Sequence, residues 1–219
     1  MISANRSSRG LVAVSVFGPS GAGKSQVARA LAVALGEETA ARVPADSFLV
    51  PRPPGMPMAE YRARPLAWDW ALLAERLALP LGTRTTTPDF DFDAFVRRDE
   101  IGGLPFTVRP LMIVDAMAPY PDADLTVRLD VPDEVRRERL IDRDRRWGTR
   151  VIDRWDQLEA TWTAARAAAG VPALELDGTR PIAESVHRIA EEIHRLVRAR
   201  GLPEHGPWCP AGEQRLTDG

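Results

Sequence analysis

The sequence predicts an α/β fold, with a parallel sheet of about five strands and helices on both faces. Three observations predict it. Short, wholly apolar runs alternate with longer segments whose apolar residues recur at helical spacing. Glycines stand where several of those helical segments end. The first apolar run also passes directly through a glycine-rich loop into a helix, the order of a strand whose carboxyl end faces a ligand. At 219 residues the chain suits one domain, or one domain with a small lid, and can bury a full core.

In chain order, LVAVSVF (Leu11 to Phe17) reads as a strand buried on both faces. From Lys24, the residues Val27, Leu31 and Leu35 share one helical face, and Gly36 stops the helix. A second strand is expected to end near Ala45-Asp46-Ser47-Phe48. Residues 50–67 carry five prolines and read as a loop. Trp68 to Leu79 reads as a short helix with Leu72, Leu73, Leu77 and Leu79 inward. Leu111 to Val114 is a strand ending at Asp115, and Leu125 to Asp130 is another. Pro132 opens a charged helix to about Arg146. Ile152 to Ala169 is helical, Ala173 to Leu176 is a final strand, and Ile182 to Val197 is an amphipathic helix stopped by Gly201. The expected organisation is a flexible N-terminus (1–10), one domain (11–201) with a lid near 139–155, and a loose tail (202–219).

Composition narrows the function. Hydrophobic residues make up 44% and charged residues 27%, and the formal net charge is −2, so no global basic field points to nucleic acid. Cys209 is the single cysteine, which leaves no internal disulfide and no cysteine-paired zinc site. Residues 1–10 lack a signal-peptide pattern and no apolar run is long enough to span a membrane, so a cytoplasmic protein is expected. A homo-oligomer is compatible with the sequence, which does not decide it.

Chemistry concentrates at Gly18 to Ser25, GPSGAGKS, which fits G-x-x-x-x-G-K-[ST]. Its Lys24 is the one lysine among 29 basic residues, retained in a chain that otherwise uses arginine. The glycines let successive N–H groups face a polyphosphate, and the helix adds its positive end. Gly18, Ser20, Gly21, Ala22, Gly23, Lys24, Ser25 and Gln26 are the nucleotide-binding candidates. Lys24 would reach the β- and γ-phosphates and Ser25 would ligate Mg²⁺, which points to a P-loop NTPase fold binding a nucleotide with Mg²⁺. Asp46, at a strand end opposite this loop, is placed to accept a hydroxyl proton and help hold Mg²⁺, or else to cap a turn. Asp115 ends a strongly apolar strand and is a second Mg²⁺ candidate, with loop capping as the alternative. In the arginine-rich helix, acids alternate with arginines and most of these residues should be solvated and ion-paired. Arg139 and Arg143 share a face and are the pair expected at the transferring phosphate, with Arg150 behind them. Trp68, Trp70, Phe90, Phe92 and Phe95 are either an aromatic wall for an acceptor or core. His187 and His194 have no metal-ligand spacing to one another.

The order of these motifs resembles the uridine kinase and phosphoribulokinase group of P-loop kinases over most of residues 11–177. Ala45-Asp46-Ser47-Phe48 is similar to its D-S-F-Y, whose Asp acts on the acceptor hydroxyl. Arg64 to Trp70 (RPLAWDW) is similar to H-P-x-A-F-D, Thr87 to Phe92 (TPDFDF) to P-x-Y-D-F, and Arg139 to Asp144 to R-x-x-x-R-D. Ile113 to Ala116 stands where the group has V-E-G. The resemblance implies transfer of the γ-phosphoryl of ATP to a small-molecule alcohol, with Arg64, Trp68, Phe90, Asp91 and Phe95 toward the acceptor. Despite the resemblance, departures from the family's pattern make uridine an expected poor acceptor. The family's acid for the ribose hydroxyls is Ala63 here, its histidine is Arg64, its tyrosine is Phe90, and a downstream base-contacting histidine aligns with Phe95. Two rivals stand beside it. A nucleoside-monophosphate kinase would need arginines such as Arg62 and Arg64 for the acceptor phosphate. A GTPase-like switch would use Asp99 to Gly102 as D-x-x-G, but N-K-x-D is absent because Lys24 is the sole lysine. A P-loop protein that binds ATP without turnover is disfavoured by the retained Lys24, Ser25 and Asp46.

Overall fold

The computed structural model describes residues 11–201. The expectations for 1–10, for 202–219 and for Cys209 therefore lie outside the described residues. Five parallel strands form the main sheet: β1 (Val12–Phe17), β2 (Ala40–Pro44), β5 (Leu111–Ala116), β6 (Leu125–Asp130) and β7 (Leu174–Asp177), in the order β2-β5-β1-β6-β7. A separate antiparallel hairpin pairs β3 (Arg84–Asp91) with β4 (Val96–Thr107).

Side-chain alternation explains why β1 is apolar at nearly every position. Val12, Val14 and Val16 face a core shared with helix α1 (Lys24–Leu35) and the last helix, α6 (Ile182–Ala199). Ala13 and Phe17 face the other core, which includes α3 (Trp70–Leu77), the hairpin's Phe90 and Phe106, and α5 (Trp155–Ala168). Each fully buried Leu, Ile or Phe contributes about 1.5–3 kcal/mol, so the sheet is clamped from both sides and its carboxyl edge is held rigidly.

Register then positions the site. Val16 of β1 and Pro44 of β2 both pair with Asp115 of β5. The loop after β1 and the turn after β2 thus leave the sheet at one level, two residues before Gly18 and Asp46. The second strand ends at Pro44, and Ala45–Phe48 is a 3₁₀ turn, so Asp46 stands just beyond the sheet.

Two segments differ from expectation. Residues 50–67 contain a short helix, α2 (Met58–Arg62), with Pro57 at its N-cap, where a missing N–H costs nothing. The hairpin was not foreseen. Its β4 faces solvent along most of its length, so apolar alternation is weak there. Helix α3 starts at Trp70 because the Asp69 carboxylate accepts from Leu72 N at 3.1 Å. Pro132 is the N-cap of α4 (Asp133–Trp147), which runs to a left-handed Gly148. A second 3₁₀ turn, Val151–Arg154, leads into α5. Among the described residues no helix is long and apolar enough to cross a membrane.

Candidate active site

The loop between β1 and α1 is shaped by close approach. At Gly18 (φ +150°) a Cβ would stand 2.4 Å from the Leu129 carbonyl oxygen, so no larger residue fits without moving β6. Gly23, left-handed at φ 92°, is the N-cap of α1, and its carbonyl accepts from Gln26 and Val27. Ser20 and Ala22 are buried, Gly21 and Ser25 are half-buried, and Gln26 is exposed.

Lys24 is 8% exposed, and its Nζ donates to the Pro19 carbonyl at 2.9 Å. It makes no ion pair among the described residues. Burial pushes its ammonium below the ordinary lysine value, while the charges of Asp46 and Asp115 push back. A buried cation with no ion pair among the described residues, at the start of α1 beside a glycine-rich loop, is a site for a polyanion.

Asp46 faces this loop. It can be reached by solvent, yet the protein walls around it displace enough water to raise its carboxyl above the usual aspartate value. Lys24 opposes that rise and Asp115 adds to it. The carboxylate accepts no hydrogen bond among the described residues, so it is uncommitted. The alternative of a turn-capping aspartate therefore loses its support.

Asp115 is different. It is 3% exposed, and Arg42 of β2 grips it with Nε–Oδ2 at 2.9 Å and Nη2–Oδ1 at 3.2 Å. The expectation of Asp115 as a Mg²⁺ ligand meets a correction here, because both oxygens are already engaged. Arg42 was missed, although a charged residue within the strand AARVP was the available signal.

Helix α4 braces the loop from outside. Arg139 donates to the carbonyls of Gly21 (3.3 Å) and Gly178 (3.0 Å), so its guanidinium holds loop backbone in this structure. Arg136, 1% exposed, bonds Glu159 at 2.9 and 3.0 Å and Asp133 at 2.6 Å, reaches Ser20 O at 3.4 Å, and lies over the Trp155 ring. It is a structural tie that sequence reading placed among the solvated arginines. Arg145, paired with Asp142 at 3.6 Å and exposed, fits that solvated reading. Arg143 is half-buried, its Nε is buried without a hydrogen-bond partner among the described residues, and its charge acts on both Lys24 and Asp46. Arg150 is exposed.

The acceptor candidates divide. Trp68 is buried and stacks on Trp70 at 5.7 Å, with Trp70 against Tyr120 at 5.5 Å. Phe90 is 7% exposed and packs on Phe92 and Phe95. Three expectations need correction. Phe95 is 1% exposed, held at φ 53° against Tyr61, and offers no surface to a ligand. Asp91 accepts from Asp93 N and Ala94 N at 2.9 Å and from Arg98 at 2.6 Å, the work of a hairpin turn. Arg64 is exposed and paired with Glu60 at 2.5 Å. His187 lies on the surface near Glu191.

Among the described residues no cluster of three or more His, Cys, Asp or Glu can hold a metal by itself. Mg²⁺ in phosphoryl-transfer sites uses one or two protein oxygens with the substrate's phosphates, and Ser25 with the uncommitted Asp46 fits that donor set. An open cleft of about 580 Å³ lies beside Pro19, lined by Asp130, Trp162, Arg166, Asp177 and Thr179 among others. Lys24, Asp46 and Arg143 do not line it, so the chemistry is not assigned there.

No protein-family model matches the chain. Over 141 residues it is 32% identical to a uridine kinase of Alkaliphilus metalliredigens, a match spanning 60% of this chain and 67% of that protein. Its fold is similar to that of a protein assigned as a fructose transport system kinase from Silicibacter sp., with a TM-score of 0.55 and 21% identity. That superposition covers 80% of this chain and 98% of the other.

Proposed function

Because the chain belongs to the uridine kinase family of P-loop kinases, we propose that it transfers the γ-phosphoryl group of ATP to a hydroxyl of a small molecule other than uridine. One observation carries the reading: a buried, unpaired Lys24 inside the loop, with the uncommitted carboxylate of Asp46 opposite.

Lys24 and the amides of Gly21 to Ser25 hold the phosphates. Ser25 and Asp46 would hold Mg²⁺, which would neutralise charge on the transferring group. Asp46 accepts the proton of the attacking hydroxyl, and its raised affinity for a proton suits that task. Arg143 places its charge on the spreading negative charge of the transition state. Arg139 fixes the loop backbone, so it acts through the loop. Asp115, held by Arg42, keeps a negative charge near Asp46 and sustains its basicity. Residues 139–155 form the lid. A cytoplasmic location fits an enzyme that consumes ATP.

The test is an ATP-consumption screen across nucleosides, sugars, pantothenate and similar alcohols. The proposal requires ADP formation that depends on an alcohol. ATP binding with no alcohol-dependent turnover across the panel would oppose it, and tight, guanine-selective GDP binding would favour the switch.

A further inference from the structure

Behind the nucleotide loop, α4 and α5 bury a two-pronged ion pair. Arg136 of α4 is 1% exposed, and its fork meets the Glu159 carboxylate of α5 through Nη1–Oε1 at 2.9 Å and Nη2–Oε2 at 3.0 Å. Asp133, three residues earlier on α4, accepts a further bond from Nη2 at 2.6 Å. The Trp155 ring, four residues before Glu159 and on the same face of α5, lies under the guanidinium at 4.7 Å. A fork matched to a carboxylate by two parallel bonds fixes both the place and the plane of the guanidinium. Burying such a pair strips water from both charges, and an apolar pair of similar volume is often as stable or more so. Joining two helices therefore does not by itself account for a charge buried here.

The guanidinium reaches one group more. Its Nη1 donates to the Ser20 carbonyl of the loop at 3.4 Å. Gly21 follows at φ +84°, and a Cβ there would stand 2.8 Å from the Arg136 carbonyl oxygen, so loop and helix backbones touch at this residue. The Ser20–Gly21 peptide is trans, and a trans peptide carries its C=O and N–H on opposite sides. Turning the Ser20 carbonyl toward α4 therefore turns the Gly21 N–H away from the helix. That N–H has no acceptor among the described residues, whereas Ala22 N in the next peptide is bonded to Pro19 O at 3.2 Å. It is a backbone donor left for a ligand oxygen, as in loops that bind anions through successive amides.

We propose that Arg136, held by Glu159, is a positioning residue for the nucleotide: by anchoring the Ser20 carbonyl it presents the Gly21 N–H to the phosphates. This rests on the nucleotide-binding part of the reading above and adds two residues outside the loop to it. Arg139, about one turn further along α4, holds the next carbonyl, Gly21 O, at 3.3 Å. The two arginines thus pin successive peptides. Glu159 sets where the first of them sits, so a carboxylate on α5 governs how well the loop binds.

The test compares calorimetric titration with Mg²⁺ and ADP, thermal melts and kinetics for the wild type and two variants. Arg136→Met/Glu159→Leu replaces the pair by apolar side chains of similar size and should melt within a few degrees of the wild type. It should bind ADP at least about tenfold more weakly, the scale of one lost hydrogen bond to a charged group. KM for ATP should rise accordingly while kcat changes less, since Asp46 is untouched. Glu159→Gln keeps the shape and one bond to Arg136, so it should fold and show a smaller loss in the same direction. Amide hydrogen exchange reads the peptide itself. Saturating ADP should slow exchange at Gly21 in the wild type and not in the double variant, with Lys24 and Ser25 protected in both. Wild-type ADP affinity in the double variant, or retained protection at Gly21, would overturn the proposal. So would a large loss of Tm with affinity intact, which would leave the pair a tie between helices only. Should the double variant not fold, Glu159→Gln decides alone, and wild-type affinity there would overturn the proposal. If the wild type binds no ADP, the kinase reading falls first and this inference with it.

Discussion

Replacing Lys24 with methionine separates stability from function. Lys24 is 8% exposed, holds one hydrogen bond, to Pro19 O at 2.9 Å, and forms no ion pair among the described residues. Replacing a whole buried ion pair by apolar residues of similar volume is neutral or stabilising by about 1–4 kcal/mol, and the same desolvation argument applies to a buried lysine with no ion pair among the described residues. Asp46 and Asp115 favour the charge and will lose it, which places Lys24→Met at the low end, about 1 kcal/mol more stable. For a chain of this size that raises Tm by about 2–4 °C. The folded-state lysine binds its proton less tightly than the unfolded one. Between the two pKa values the unfolded chain holds more protons, so wild-type stability rises with pH across that window. Below the window the full penalty is present. The advantage of Lys24→Met should therefore be complete below the lowered folded-state pKa and shrink as pH climbs toward the ordinary lysine value of 10.5. Phosphoryl transfer should meanwhile fall by about 10²–10³-fold, the scale of a lost charge-stabilising donor. Lys24→Arg should not rescue it, since a planar fork replaces a point charge. Calorimetric melts and an ADP-release assay read both effects. A Tm lowered by several degrees, or turnover within tenfold of wild type, would refute the reasoning.

Two other predictions follow from the same cluster. In Asp115→Asn, a charge that raises the Asp46 pKa is removed and Arg42 is released, so the acid limb of kcat/KM should move to lower pH; a limb that stays or moves upward contradicts the coupling. Uridine and cytidine should give kcat/KM below about 10⁴ M⁻¹s⁻¹, the lower end for natural substrates, because Phe90 has no hydroxyl and Phe95 is buried where polar contacts would be needed.

The P-loop, the five strands and the Asp46 position were legible because each rests on a local signal: a fixed glycine spacing, an unbroken apolar run, an acid at a strand end. The β3–β4 hairpin was not. Its outer strand buries few side chains, so periodicity carried little information there. Asp91 and Phe95 looked like acceptor residues by their order in the chain, but turn bonds and aromatic packing claim them. The ties made by Arg42 and Arg136 cross between elements distant in sequence, and spacing along the chain cannot reveal such partners. Arg139 and Arg143, four apart on α4, differ in what they act on: Arg139 braces the loop backbone, while Arg143 acts on Asp46 through its charge.

The central claim is that Asp46 is the base facing a nucleotide held by Lys24. The most direct measurement compares Asp46→Asn with the wild type for ATP affinity and for phosphoryl transfer to the best alcohol found in the screen. The account predicts near-normal ATP affinity with turnover lower by about 10²-fold or more. Equal losses of affinity and rate, or turnover close to wild type, would contradict it and return Asp46 to a capping role in the turn after β2.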